Sequence, residues 1–96
     1  MLVMSNETQK REVKVLNKRG FHLRPAEVFM RTASQFESKV ELIKDAVRVD
    51  GKSMLSLMML NASAGELITI EATGPDPEQV VGVLEKLFET RFDESE

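Results

Sequence analysis

A proline inside an amphipathic run does most to restrict what this chain can become. Ala26, Phe29, Met30 and Ala33 recur at i, i+3, i+4 and i+7, and Phe36 extends the same face, which is the spacing of a helix with one buried side. Pro25 lies at the front of that run. Proline has no N–H and its ring clashes with the preceding turn, so a helix tolerates it only at its start. The helix must therefore begin between His22 and Arg24, and the single histidine of the chain stands at its mouth. A helix start offers unpaired backbone N–H groups and a partial positive charge, which suit an anion. Imidazole is a nitrogen nucleophile with an ordinary pKa of about 6.5, so much of it is neutral near pH 7. Arg24 adds a permanent charge and a planar fork that matches phosphate oxygens. The simplest chemistry for this set is temporary possession of a phosphoryl group.

Composition removes most competing chemistries. With 96 residues, 42% of them hydrophobic, the chain has one core and no room for a deep two-lobed cleft. Zero cysteines exclude a thiol nucleophile, a disulfide framework and a Cys-ligated metal. One histidine without metal-ligand spacing predicts no metal site and no cofactor. A net charge of −3, no Trp, no Tyr and five Phe argue against a nucleic-acid partner. No run approaches the roughly 18 apolar residues of a membrane span, and Met1-Leu2-Val3-Met4 lacks a signal-peptide pattern, so a cytoplasmic protein is expected. Charge is uneven, however. Lys10, Arg11, Lys14, Lys18, Arg19 and Arg24 face one acid, Glu12, across 10–24, whereas Asp93, Glu94 and Glu96 crowd the far end.

Residues 1–10 show no periodicity and are expected to form a flexible extension, with a folded domain over 11–90 and a solvated acidic tail over 91–96. Alternation through Val13 and Val15 predicts a strand over Glu12–Leu16, followed by a loop at Asn17-Lys18-Arg19-Gly20. After the first helix, Val40, Leu42 and Ile43 mark a second strand, and Val47 with Val49 a third. Ser53 is placed to cap a short helix over Met54–Leu60. Leu67–Ala72 is the clearest strand. Asp76, Pro77 and Gln79 suit a capping box opening a last helix, whose face is Val80, Val83, Leu84, Leu87 and Phe88. The order is β-α-β-β-α-β-α, an α+β domain with its helices on one side of an antiparallel sheet.

Two separated segments carry a family resemblance. Gly20-Phe21-His22-Leu23-Arg24-Pro25-Ala26 resembles the phosphohistidine signature of HPr, the phosphocarrier of the bacterial phosphoenolpyruvate-dependent sugar phosphotransferase system. Gly51-Lys52-Ser53, with the apolar run Met54 to Leu60 behind it, resembles the regulatory-serine segment of that family. The likeness covers roughly Arg11 to Phe88. It implies an open-faced β-sandwich, a four-stranded antiparallel sheet in order 1-4-2-3 with three helices on one face. It further implies a carrier rather than an enzyme. His22 would take a phosphoryl group on Nδ1 from phosphorylated Enzyme I and pass it to EIIA domains, with the phosphate seated against Leu23, Arg24 and Pro25. Ser53 would be the target of an HPr kinase/phosphorylase where that enzyme exists, and a transcriptional regulator would be a further partner. Phe21, Leu23, Met54, Leu55 and Met58, with Arg31 at the rim, would form the docking patch of a monomer. Phe21 and Leu23 are bulkier than the residues usual beside the histidine.

The residues support the carrier reading without the name. A carrier must expose its nucleophile and offer no base that would activate water, and the nearest carboxylate in sequence is Glu27. Plainer readings compete at several positions. Ser53 is fully explained as an N-cap, Arg31 as a solvated charge, and much of the methionine patch as core packing. Gly51-Lys52-Ser53 is not a nucleotide loop, since position 46 is alanine where that motif needs glycine. Two other overall readings remain: a nitrogen-type or mainly regulatory paralogue, and an α+β interaction domain whose histidine is incidental. A small hydrolase would need a base or metal that the chain does not supply.

Overall fold

The computed structural model describes residues 7–94. Its elements are β1 (Glu7–Lys14), α1 (Leu23–Ala33), β2 (Lys39–Lys44), β3 (Val47–Asp50), α2 (Met54–Met58), β4 (Leu67–Gly74) and α3 (Pro77–Glu89), closed by a 3-10 turn at Arg91–Asp93. The four strands form one antiparallel sheet in the order β1-β4-β2-β3. This is the topology expected above. Alternation explains its covered face. Ile68, Ile70 and Ala72 of β4 point inward with Val13, Val40, Leu42 and Val49, and meet Phe29 of α1 and Val80, Leu84 and Phe88 of α3. The opposite face is open and charged, with Arg48 bonded to both Glu41 and Glu71.

β1 starts at Glu7, so residues 7–10 are paired strand rather than loose extension, and the sequence-based strand start at Glu12 is late; the strand also ends at Lys14. The missed signal has a physical cause. Glu7, Gln9 and Arg11 stand opposite Gly74, Ala72 and Ile70, on the inward face of an edge strand where polar residues suffice at the margin of α3. Arg11 turns to the Glu85 carboxylate of that helix at 2.7 Å. An inward charge on an edge strand also discourages pairing with a second sheet. The remainder of the expected extension, residues 1–6, lies outside the described residues.

Four further expectations are corrected. The capping box at Asp76 does not form, because its carboxylate accepts from the Ser38 hydroxyl and from the amides of Ser38 (3.0 Å) and Glu37 (3.3 Å) instead. α3 buries Val80, Val81, Leu84 and Phe88, leaving Val83 exposed and Leu87 at the margin. α2 is shorter than Met54–Leu60: Met59 caps it, Leu60 donates to the Leu57 carbonyl (3.1 Å), and Asn61 at φ 53 reverses the chain. Beyond α3 the chain does not dissolve into a tail. Arg91, Phe92 and Asp93 take φ of 56, 52 and 62, and this left-handed turn drives Phe92 into the core. Positions 95–96 lie outside the described residues.

Candidate functional site

The loop ahead of α1 is built to hold one residue at the helix mouth. The Gly20 N–H donates to the Asn17 carbonyl at 2.9 Å, and the Phe21 N–H to the Ala62 carbonyl at 2.9 Å. Gly20 has φ +77, and a Cβ there would lie 2.7 Å from the Ala62 oxygen, so both conformation and space require glycine. The Phe21 ring points inward, stacked on Phe88 with centroids 5.7 Å apart and edge-on to Phe29 at 6.0 Å. Phe21 is thus a core anchor and not a docking residue. Its bulk reflects a four-phenylalanine cluster completed by Phe92.

His22 is the N-cap residue of α1, in extended backbone (φ −90, ψ −167), and its carbonyl accepts the first helical bond from Ala26 at 3.0 Å. Its side chain plays no capping role. The ring is partly exposed, at 29%. Nε2 lies 3.1 Å and 3.3 Å from the two carboxylate oxygens of Glu94. Among the described residues, Nδ1 has no hydrogen-bond partner. Leu23 and Arg24 follow as the first two helical residues, whose N–H groups have no partner within the helix. Both side chains are exposed, Leu23 at 62%. Pro25 is buried and has no N–H to offer, so it sets the helix start and cannot donate to an anion. An open cleft of about 630 Å³ runs beside the ring, lined by Lys18, Arg19, Leu23, Met58 and Asn61 among others, so its charged walls are basic.

The other predicted residues fall on neighbouring surface. Ser53 is half-buried and caps α2, its Oγ accepting from the Ser56 N–H at 3.3 Å. Lys52 donates to the Phe36 carbonyl at 2.7 Å. Leu55 is 77% exposed, while Met54 and Met58 are half-buried against the core. Met59, 70% exposed, joins this apolar surface. Arg31 is exposed and pairs with Glu27 one turn back at 3.0 Å.

Glu94 and Asn17 were not among the predicted site residues. Glu94 lies in the segment read as a solvated tail, and its carboxylate contradicts the expectation of a histidine without an acid nearby. Asn17 is buried, and its Nδ2 donates to the Arg91 carbonyl at 2.8 Å and to Glu94 Oε1 at 2.5 Å. Burial pushes the Glu94 carboxyl upward, but bonds from Asn17 and His22 and attraction to His22 and Arg24 outweigh it, so the net direction is below the usual carboxylate range. Two hints stood in the sequence: an acid-rich end complements the basic stretch before His22, and Phe92 is a lone large apolar residue beyond the last helix. Among the described residues no cluster of metal-ligating side chains occurs, and no helix is long and apolar enough to cross a membrane.

Comparison with known proteins gives a consistent picture. The family model for the PTS HPr component phosphorylation site matches residues 9–90. A phosphocarrier protein HPr of Neisseria meningitidis is 40% identical over 87 residues, covering 91% of this chain and 98% of that one. The phosphocarrier protein NPr of Escherichia coli is 35% identical over 88 residues, with the same two coverages of 91% and 98%. A crystal structure of HPr-C-His from Thermoanaerobacter tengcongensis superposes with a TM-score of 0.88 at 35% identity, covering 92% of this chain and 99% of that one.

Proposed function

Because this chain belongs to the HPr family of phosphotransferase-system phosphocarriers, we propose that His22 is its phosphoryl acceptor, loaded on Nδ1 by phosphorylated Enzyme I and unloaded onto EIIA domains. The observation that carries this reading is the ring itself: one nitrogen engaged by Glu94, the other without a partner among the described residues, at the start of α1 beside a basic cleft. The Nδ1 lone pair attacks phosphorus in line with the bond to the donor. The Leu23 and Arg24 amides, the helix dipole of about half a charge and the Arg24 guanidinium balance the phosphoryl oxygens. With so little machinery of its own, the protein stores the group, and each partner completes the transfer site.

Docking follows the apolar ground around the ring. Leu23, Leu55 and Met59, with the half-buried Met54 and Met58, form a surface that adapts to several partners, and Arg31 stands at its rim. A phosphate on Ser53 would sit at the start of α2 and bring about two negative charges toward partners selected for a basic site, slowing their encounter. The protein acts as a cytoplasmic monomer in this reading. The match to NPr favours a second use of the same chemistry, in a nitrogen-type branch. Onward transfer to a regulatory EIIA but not to sugar-permease EIIA domains would single it out.

Phosphoenolpyruvate plus Enzyme I, followed by intact mass, tests the proposal. One acid-labile phosphate is expected on the wild type and none on His22→Ala. An acid-stable phosphate that survives the substitution refutes it.

A further inference from the structure

We propose that Glu94 is a positioning residue for phosphoryl transfer: it holds the proton of His22 on Nε2, presents the Nδ1 lone pair to the donor, and faces the charge that the ring acquires. This deepens the carrier reading and rests on it. Both Glu94 oxygens lie within 3.3 Å of Nε2. An ionised carboxylate only accepts hydrogen bonds, so Nε2 must be the nitrogen that carries hydrogen.

The carboxylate is itself fixed. Asn17 reaches two acceptors, Glu94 Oε1 and the Arg91 carbonyl, so its amide nitrogen must face them. Its Oδ1 is buried, with no partner among the described residues. The turn that carries Glu94 is held in three successive left-handed conformations and pinned by Phe92, 4.9 Å from Phe88 and 5.8 Å from Phe21. Strain of this kind persists where the surroundings over-determine it. Phe21 directly precedes His22, so one aromatic cluster locates the imidazole and its carboxylate together.

The charged groups around the ring sort by element. Lys18 and Arg19 from the preceding loop share its cleft, and Arg24 stands on α1; α2 contributes Met58, which has no charge. Glu94 from the final turn is the acid bonded to the ring. The cations therefore attract the phosphoryl group, while the anion attends to the imidazole.

The step balances without a proton leaving the ring. On loading, the Nδ1 lone pair forms the N–P bond, and the bond from phosphorus to the donor breaks with its electron pair going to the donor. The ring becomes cationic, and its Nε2–H faces a carboxylate. On unloading, the Nδ1–P pair returns to the ring, the phosphoryl group bonds to the acceptor, and Nε2 keeps its proton. No base has to remove a proton in either direction, which suits a reversible carrier.

The test uses the full chain and phosphoramidate, a small donor that bypasses partner proteins and releases ammonia. Glu94→Gln keeps an acceptor for Nε2–H but removes the charge, and is expected to load at least about tenfold more slowly, since hydrogen bonds to charged groups contribute about 1.5–3 kcal/mol. Its urea midpoint at neutral pH should fall modestly, since the ionised carboxylate stabilises the fold, while unfolding stays one cooperative transition. Imidazole 15N spectra give the second reading: Nε2–H protected from solvent exchange in the wild type, and lost in Glu94→Ala. Wild-type loading by Glu94→Gln overturns the proposal. So does a wild-type Nε2–H that exchanges as fast as free imidazole, a measurement that needs no variant to fold. If Enzyme I fails to load the wild type while the phosphoramidate effect persists, the carrier reading falls and the role of Glu94 stands.

Discussion

Phe92→Ala separates a fold in which the last turn is structural from one in which it is an afterthought of α3. Truncating a buried phenylalanine costs about 3–5 kcal/mol where the surroundings cannot follow. Phe29→Ala, beneath the sheet, should lie in that range. Phe92 is equally buried, but it is carried by a turn whose three residues have φ between 52 and 62. Each left-handed residue of this kind holds about 1–2 kcal/mol of strain. Once the ring is removed part of the turn can release, and the return of one residue's strain reduces the net loss to about 1–4 kcal/mol. At this size that lowers the melting temperature by about 4–8 °C per kcal/mol. Urea unfolding of the wild type, Phe92→Ala and Phe29→Ala gives the ranking, and the Nε2–H signal of His22 reports whether Glu94 has left. The expected result is a smaller loss than for Phe29→Ala, accompanied by disappearance of the protected proton. A loss equal to that of Phe29→Ala with the proton still protected would refute the reasoning, since the turn would then be an inseparable part of the core.

Gly20→Ala should cost at least about 2 kcal/mol, because φ +77 disfavours alanine and its methyl would meet the Ala62 carbonyl; slower loading of His22 should accompany the loss. Ser53→Ala should cost about 1 kcal/mol by thermal unfolding through loss of the α2 cap. Ser53→Asp should keep the cap yet slow loading by Enzyme I, most clearly at low salt. Stability should decline in acid. The Ser38 hydroxyl lowers Asp76, the Arg48 guanidinium lowers Glu71, and Glu94 is lowered by its bonds despite burial. Carboxylates depressed in the fold stabilise it above their ordinary range, near about pH 4, and lose that contribution as pH falls through the depressed values. Urea midpoints measured downward from neutral pH should therefore drop, and Asp76→Asn should flatten the slope.

How much of this was legible in the residues depends on the kind of interaction. Alternation at Ile68, Ile70 and Ala72 and the helical spacing of Ala26, Phe29 and Ala33 are local, and they led to the right elements. Pro25 led to the right helix start. β1 was half-missed because its first residues meet the polar margin of α3, where alternation carries no apolar signal. Asp76 has the local pattern of a cap, but Ser38, 38 positions away, offers better bonds. The same holds at the site. His22 and Arg24 announce themselves within one short segment, whereas Glu94 reaches His22 across 72 positions and Asn17 across 77. Only the folded aromatic cluster brings them together. Phe21, assigned to the docking patch, and Phe92, inside the segment expected to be a tail, both belong to that cluster, because sequence shows a bulky residue without showing what it packs against.

The most direct measurement is the atom that carries phosphorus. With Nε2 held by Glu94 and Nδ1 without a partner among the described residues, 15N-labelled protein loaded by Enzyme I should show one-bond coupling between phosphorus and Nδ1 of His22, with Nε2 still protonated. Coupling to Nε2, or phosphorus found on any residue other than His22, contradicts the account.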